Sequence, residues 1–596
     1  MNNIRNILLL IVAFTLTYGT VAAQNKKKKT KSTTVNRTSS TAKLKSASTK
    51  KATSKVSNEQ PAAINFKPIT NASDTTAPKE VTITSSFKPS LRNAAKINFT
   101  AATPIIDTNK LPLSYNIPSS NLFFSYQPVA IKPVALFVDT SIYWHNDAYV
   151  KVGFGNFASP YAEAGIAFGD GKQTMFSLHG KHTSSTGRLT FQDFSKTGVD
   201  FLGSITTKNN NEISAKAFWD NSVQYRYGYQ PSTSVFTKDD LRQAFNNVGL
   251  ELGLQNKLPN SFGVTYHPQI KASTFFDNHN GNEISLLAKL PINKSFGRFL
   301  ALDVAATADI SSFKRQLVPN AATVNNNLFY VNPTIQFKTP NIKLNAGIQP
   351  TWDNQSFWLL PNVTAEAKIN EEKFVVQAGW RGYVNKNTYQ SLAGINPYII
   401  QPTSLLNTKV TEQYAGFKGS AGKHFTYNAR ISFLNMDNAA LYVNDTTTGK
   451  TQEFKAVFEP VLKAIKLHGE IGYTDQEKFS FIASANYTQF TKLNTYDKAY
   501  GLLPLEINGA LRWKVFKDLL VKSDVFFWDG SHYQMQNLKS GKLSPAIDAN
   551  IGTEFTVMPK LNVWLQINNV FNNKYQRWNQ YEVLGLQVLG GVVYHF

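Results

Sequence analysis

Between Ser141 and Phe596 the chain repeats one pattern, segments of about ten residues in which apolar and polar side chains alternate. In Val363–Lys368, Val363, Ala365 and Ala367 fall on one face, and Thr364, Glu366 and Lys368 fall on the other. Phe425, Tyr427, Ala429, Ile431 and Phe433 likewise oppose Thr426, Asn428, Arg430 and Ser432. Leu561, Val563, Leu565 and Ile567 oppose Asn562, Gln566 and Asn568. Successive side chains of a β-strand point to opposite faces, so each segment makes a strand with one apolar and one polar face. A soluble sandwich alternates in the same way. Length separates the two, because a tilted membrane strand needs about 9–11 residues, whereas globular strands average about 5–6. Aromatic residues near segment ends (Trp219, Trp380, Tyr487, Trp513, Phe527 and Trp528) suit interfacial girdles. Tight turns at 557–560, 516–518 and 475–477 alternate with polar stretches at 571–585, 529–544 and 490–503. Short turns on one rim and long loops on the other are the outer-membrane arrangement. The expected fold is an all-β, transmembrane, antiparallel up-and-down barrel over residues 141–596. It has about twenty strands, an even number within roughly 16–22. Residues 453–474, around Pro460, read as either one long strand or two short ones.

The front of the chain is different. Arg5, the apolar run Ile7–Leu16 and the small residues Val21-Ala22-Ala23 make residues 1–23 an expected signal peptide. That run is too short for the ~20 apolar residues of a spanning helix. Residues 24–60 are rich in Lys, Ser and Thr and lack large apolar side chains, a composition expected to be disordered. Eleven cations between Lys26 and Lys55 supply about half of the net charge of +23. The excess is therefore read as a solvated tail, and a nucleic-acid partner is not expected of an exported chain. Such a tail could also grip cell-wall polymers or a periplasmic partner. Residues 61–140, rich in Pro, Ser, Thr and Asn, read as an extended periplasmic linker that could enter the barrel. The chain has no cysteine, which excludes disulfides, thiolate metal sites and a lipoprotein anchor.

The last residues place Val592, Tyr594 and Phe596 on one face and stop on the aromatic. This resembles the terminal signal by which outer-membrane proteins are taken up by the barrel assembly machinery. The run Leu561–Tyr575 (LNVWLQINNVFNNKY) with the strand that follows looks like the last hairpin of TonB-dependent receptors. The resemblance implies an outer-membrane barrel in contact with lipid and lipopolysaccharide of a Gram-negative cell. Receptors of that family also carry a globular plug and a short TonB-contacting box. Residues 24–140 show neither pattern, so the expectation is a barrel without a recognisable plug.

No catalytic motif, phosphate loop or metal-ligand spacing stands out, and neither enzymatic activity nor a cofactor is expected. His179 and His182 fall on opposite faces of one strand, which prevents joint chelation. Alternation directs Lys216, Glu251, Glu366, Lys368, Arg381, Arg430, Glu506, Arg512, Lys514, Lys522 and Asp524 into the lumen. They are expected either to staple the wall, Glu366 to Lys368 or Arg381 and Asp524 to Arg512, or to favour anions in a pore. Solute passage or binding is the leading functional expectation. An envelope scaffold anchored by its barrel is the alternative, and a barrel hydrolase ranks below both.

Overall fold

The computed structural model describes residues 147–229, 235–315, 323–445, 452–476, 478–534 and 540–596. The expected signal peptide (1–23), basic tail (24–60) and linker (61–140) lie outside the described residues, as do residues 141–146. From Asp147 onward, 22 antiparallel strands form one closed barrel. They are β1 (Asp147–Gly155), β2 (Ser159–Gly169), β3 (Thr174–Ser185), β4 (Phe194–Thr206), β5 (Asn211–Tyr225) and β6 (Arg242–Asn256). Next come β7 (Gln269–Asp277), β8 (Asn282–Phe296), β9 (Leu300–Lys314), β10 (Thr323–Lys338), β11 (Ile342–Asp353) and β12 (Ser356–Asn370). Then follow β13 (Phe374–Asn385), β14 (Thr408–Ala421), β15 (Phe425–Asn444), β16 (Phe454–Asp475) and β17 (Phe479–Leu493). The last five are β18 (Leu505–Phe516), β19 (Leu519–Trp528), β20 (Ala546–Met558), β21 (Leu561–Asn568) and β22 (Gln587–His595). The count is slightly above the expected twenty. Faint alternation hides some strands: β4 opens Phe194-Ser195-Lys196-Thr197-Gly198, yet pairs with β5 along its whole length.

The region around Pro460 is one strand of 22 residues. The β15–β16 ladder skips a pair between Asp437↔Val461 and Ala439↔Glu459. Pro460, which has no N–H to give, falls at that gap opposite Asn438, whose φ of 57° bends the partner strand. Pro333 and Pro350 likewise interrupt the β10–β11 ladder, which skips three pairs between Tyr330↔Thr351 and Thr334↔Gly347 without changing register.

The barrel closes where β1 pairs with β22, from Tyr149↔His595 to Gly155↔Leu589. Two glycines make the seam possible. A Cβ on Gly591 would lie 1.9 Å from the Val152 carbonyl oxygen, and one on Gly153 would lie 2.3 Å from the Trp564 ring. Trp564 covers the seam from inside, its indole N–H donating to the Val152 carbonyl at 3.2 Å. Val592, Tyr594 and Phe596 all face outward.

Polarity is inverted relative to a soluble protein. Val150, Val152, Leu286, Leu290 and Val563 are exposed, whereas Asn326, Asn332, Thr334 and Gln349 are buried. The buried amides bond one another, as in Asn362 Nδ2 to Asn332 Oδ1 (2.9 Å) and Asn345 Nδ2 to Thr364 Oγ1 (2.9 Å). Trp219, Trp380, Tyr487 and Trp513 are exposed on the outer face, and Phe527 shares that orientation by alternation. Trp528 departs from the expected girdle. It follows Phe527, so it points inward, where it stacks on Phe526 (4.8 Å) and meets Tyr575 edge-on (5.1 Å).

The rim beside Asp147 and Phe596 carries tight turns, among them 339–341, 422–424, 517–518 and 559–560. The opposite rim carries the long connections 226–241, 386–407, 494–504, 529–545 and 569–586.

Candidate functional site

The connection between β13 and β14 does not project away from the barrel. Its base is clamped by amides: Asn387 Nδ2 donates to the Leu406 carbonyl (2.7 Å) and to Thr408 Oγ1 (2.9 Å). Asn326 and Asn407 exchange side-chain hydrogen bonds at 2.8 and 2.7 Å. Beyond this clamp the chain makes one short helix, α1 (Tyr389–Ile395), started by a capping box between Thr388 and Ser391. The Glu283 carboxylate accepts from the Tyr389 N–H (2.6 Å) and the Gln390 N–H (3.2 Å), neutralising the positive end of the helix. Tyr389 lies among Phe245, Phe275 and Phe313, with its hydroxyl donating to Asp277 Oδ2 at 2.7 Å. Gln401 Nε2 donates to the same carboxylate (2.9 Å) and to the His279 carbonyl (3.1 Å).

The loop then runs on to strands nine places further round the ring. Phe454 of β16 donates to the Tyr398 carbonyl (3.1 Å) and accepts from Ile400 (2.7 Å). Tyr398 stacks on Tyr581 of the last long loop at 3.5 Å, and Tyr227 meets Tyr581 edge-on at 5.0 Å. Three connections, 226–241, 386–407 and 569–586, therefore meet over the mouth in one aromatic cluster that includes Phe454 and Trp578. Polar contacts pin its margins: Arg226 to Glu453 (2.7 Å), Arg188 to Glu582 (2.7 Å), and Tyr227 Oη to the Glu582 carbonyl (2.7 Å). Arg577, buried beside Trp578, donates to the Gly501 carbonyl (2.9 Å), and burial pushes its guanidinium down to about 10. Glu459 secures another loop, accepting from the N–H groups of Asn494 (2.9 Å) and Tyr496 (2.8 Å).

Under this lid lies a cavity of about 510 Å³. Its wall comes from β3 to β7 and its roof from Gln390, Ala393, Gly394 and Pro397. The wall presents His179, Lys181, Lys196, Asp200 and Asp220, with Phe245 and Phe275 beneath α1. His179 is held between two carboxylates, Nδ1 at 3.2 Å from Asp200 and Nε2 at 3.4 Å from Glu163. Glu163 also accepts from the hydroxyls of Tyr149 (2.6 Å) and Tyr161. His182, on the opposite face, contacts Thr197 Oγ1 at 2.8 Å. Among the described residues no cluster of three or more His, Asp or Glu side chains could hold a metal ion.

The charges expected in the lumen occupy inner-face rows but do not converge on this cavity. Lys216 pairs in register with Glu251, on β5 and β6. Arg381 and Arg430 share Glu412, at 2.6 and 3.9 Å, and both guanidinium groups lie over the Tyr414 ring. Arg512 is register partner to Lys522, with Lys514, Asp524 and Glu506 on the same pair of strands. The staples differ from those expected. Glu366 bonds Lys418 of β14 at 2.8 Å, and Arg381 bonds Glu412, in place of the Glu366 pairs with Lys368 or Arg381. Residues two apart on a strand point the same way at roughly 7 Å, so reach across neighbouring strands decides the partner. The ion pairs among the described residues include none between Asp524 and Arg512. Lys181, Asp200 and Asp220 each occupy the polar side of an alternating segment, a signal shared by too many residues to single out the cavity charges. Only the register of three strands brings them together.

No protein-family model matches this chain, and a search of curated protein sequences returns no match. Solved structures do match. The FrpB iron transporter from Neisseria meningitidis (F5-1 variant) aligns with a TM-score of 0.59 at 11% identity, covering 76% of this chain and 83% of that one. The siderophore receptor PirA from Acinetobacter baumannii gives 0.59 at 9% identity, covering 76% and 80%. The pyoverdine outer membrane receptor FpvA from Pseudomonas aeruginosa gives 0.58 at 11% identity, covering 76% and 79%. These neighbours are TonB-dependent receptor barrels, and the likeness extends from the C-terminal hairpin to the whole closed barrel. At such identities it is a likeness of fold.

Proposed function

We propose that this protein is an outer-membrane barrel that takes up a solute, holding it in the lumen beneath a closed external lid. The observation that carries this reading is the lid itself: among the described residues, three loops meet over a charged cavity. The exposed apolar outer face supports residence in a bilayer, because a closed barrel satisfies every wall hydrogen bond without water. The long-loop rim then faces outward to lipopolysaccharide, and the rim with both ends of the barrel faces the periplasm. Val592, Tyr594 and Phe596 are assigned to recognition by the assembly machinery. The reading involves no separate plug domain, on the ground that residues 24–140 carry no plug pattern. Structural neighbours that include an iron transporter and a siderophore receptor are consistent with a solute pathway through this kind of barrel.

The basic segment 26–55 favours one addition, a tether to anionic envelope polymers. Deleting residues 24–60 should leave solute uptake intact and release the protein from isolated cell wall. Uptake itself is tested with proteoliposomes carrying the full mature chain and a panel of radiolabelled amino acids, sugars and peptides. Saturable entry of one class supports the reading. Rapid, non-saturable entry of every small solute would make the protein an open pore instead.

A further inference from the structure

Gly198 stands at the centre of four charges. Its register partners are Lys181 on β3 and Asp220 on β5, and two residues away along β4 lie Lys196 and Asp200. All five residues line the cavity under the lid. Because Gly198 has no side chain, the wall is indented here. A Cβ at this position would stand 3.1 Å from Asp220 Oδ1, so even one carbon intrudes on the carboxylate.

Lys181 and Asp220 are not spent on each other. Asp200 is engaged by His179 (3.2 Å). The Lys181 ammonium lies 5.2 Å from the Tyr161 ring, and Asp220 is hydrogen-bonded by Asn247. No ion pair among the described residues joins Lys181 to Asp220. Their backbones stand two strand spacings apart, about 10 Å. That leaves room for a ligand between a cationic and an anionic side chain, directly over Gly198. On the far side Phe245 and Phe275 stack at 5.3 Å and offer an apolar bed. The volume of about 510 Å³ falls within the range of small-ligand sites, roughly 300–1,000 Å³.

We propose that this niche recognises a zwitterionic solute of the amino-acid or short-peptide class. Lys181 receives the carboxylate, Asp220 receives the ammonium, and the phenylalanines receive an apolar side chain. The assignment rests on the uptake reading, and it fixes which solutes the barrel selects. Lys181 faces Glu163 across the β2–β3 register and Asp220 lies near Lys216 and Lys271, so the wall charges are already balanced in part. A zwitterion adds one charge of each sign and keeps that balance, whereas an anion or a cation alone would upset it.

The test is calorimetric titration of the full mature chain in detergent with trialanine, N-acetyl-trialanine and trialanine amide. The lid-loosened variant Tyr398→Ala/Tyr581→Ala is titrated alongside, so that a shut lid does not mask the site. Trialanine should bind, and blocking either terminus should weaken binding by about tenfold or more. Lys181→Met should remove the preference for a free carboxylate and Asp220→Asn the preference for a free amine, while Gly198→Leu abolishes binding. Heat-modifiable electrophoretic mobility shows that each variant is a folded barrel. Equal binding of free and blocked peptides, or no binding to folded lid-loosened protein, would overturn the proposal. Saturable entry of a non-zwitterionic solute into proteoliposomes would overturn this ligand class while leaving the uptake reading standing.

Discussion

Gly591 shows how tightly single positions are set in this wall. Its α-carbon faces the Val152 carbonyl so closely that any side chain must part β1 from β22. Gly591→Leu is expected to leave the barrel unclosed, seen as loss of the fast-migrating band in unheated gel samples. Retention of that band would mean that the seam tolerates displacement. Glu283 is a second such residue. It is buried and binds the first two N–H groups of α1, so Glu283→Gln replaces a charge-assisted acceptor with a neutral one. The substitution should cost about 1–3 kcal/mol of local stability, read as faster hydrogen exchange across 389–395 with the wall strands unchanged. His279 sets a pH response. Burial, with Arg226 adding to it, lowers its pKa below the ordinary histidine value, against the opposing pull of Asp277 and Glu453. In an opened lid the ring would regain its ordinary value of about 6.5. The closed form is therefore favoured fully above that pH. As pH falls below it, the open form takes up a proton that the closed form resists, and the lid loosens. His279→Gln should flatten this dependence in protease nicking of the 386–407 loop.

Individual strands and tight turns were legible in the sequence; the path of the long loops and the register between strands were not. Val363–Lys368 alternates cleanly because β12 has lipid-side residues on one face and lumen residues on the other. Tight turns such as 517–518 and 559–560 were readable because hairpins in a barrel are short on one rim. The loop 386–407 was not readable. Leu392, Ile395 and Ile399 keep a helical spacing too short to stand out, and Leu405 falls outside it, so the pattern does not show that the loop folds back on several wall strands. The partner of Glu366 was hidden for another reason. Alternation gives the face a residue occupies, but register and the side chains between decide which cation it reaches, here Lys418. The niche at Gly198 needs three strands in register at once, and one sequence gives no view of that.

For the molecule as a whole, the outer face and the lumen obey opposite rules. Leu290 is exposed on the outer wall of β8, so Leu290→Arg should destabilise the barrel in a bilayer by about 2–4 kcal/mol, measured by reversible unfolding from liposomes. A value near zero would place this stretch of wall outside the hydrocarbon. Lid and wall together imply a barrel that is shut at rest. Single-channel current across a planar bilayer tests this, comparing the full mature chain with Tyr398→Ala/Tyr581→Ala. The lid predicts a silent parent and discrete openings in the variant, because the Tyr398–Tyr581 stack joins the loops that meet over the mouth. Steady current through the parent, or silence in both, would contradict a lid that gates the lumen.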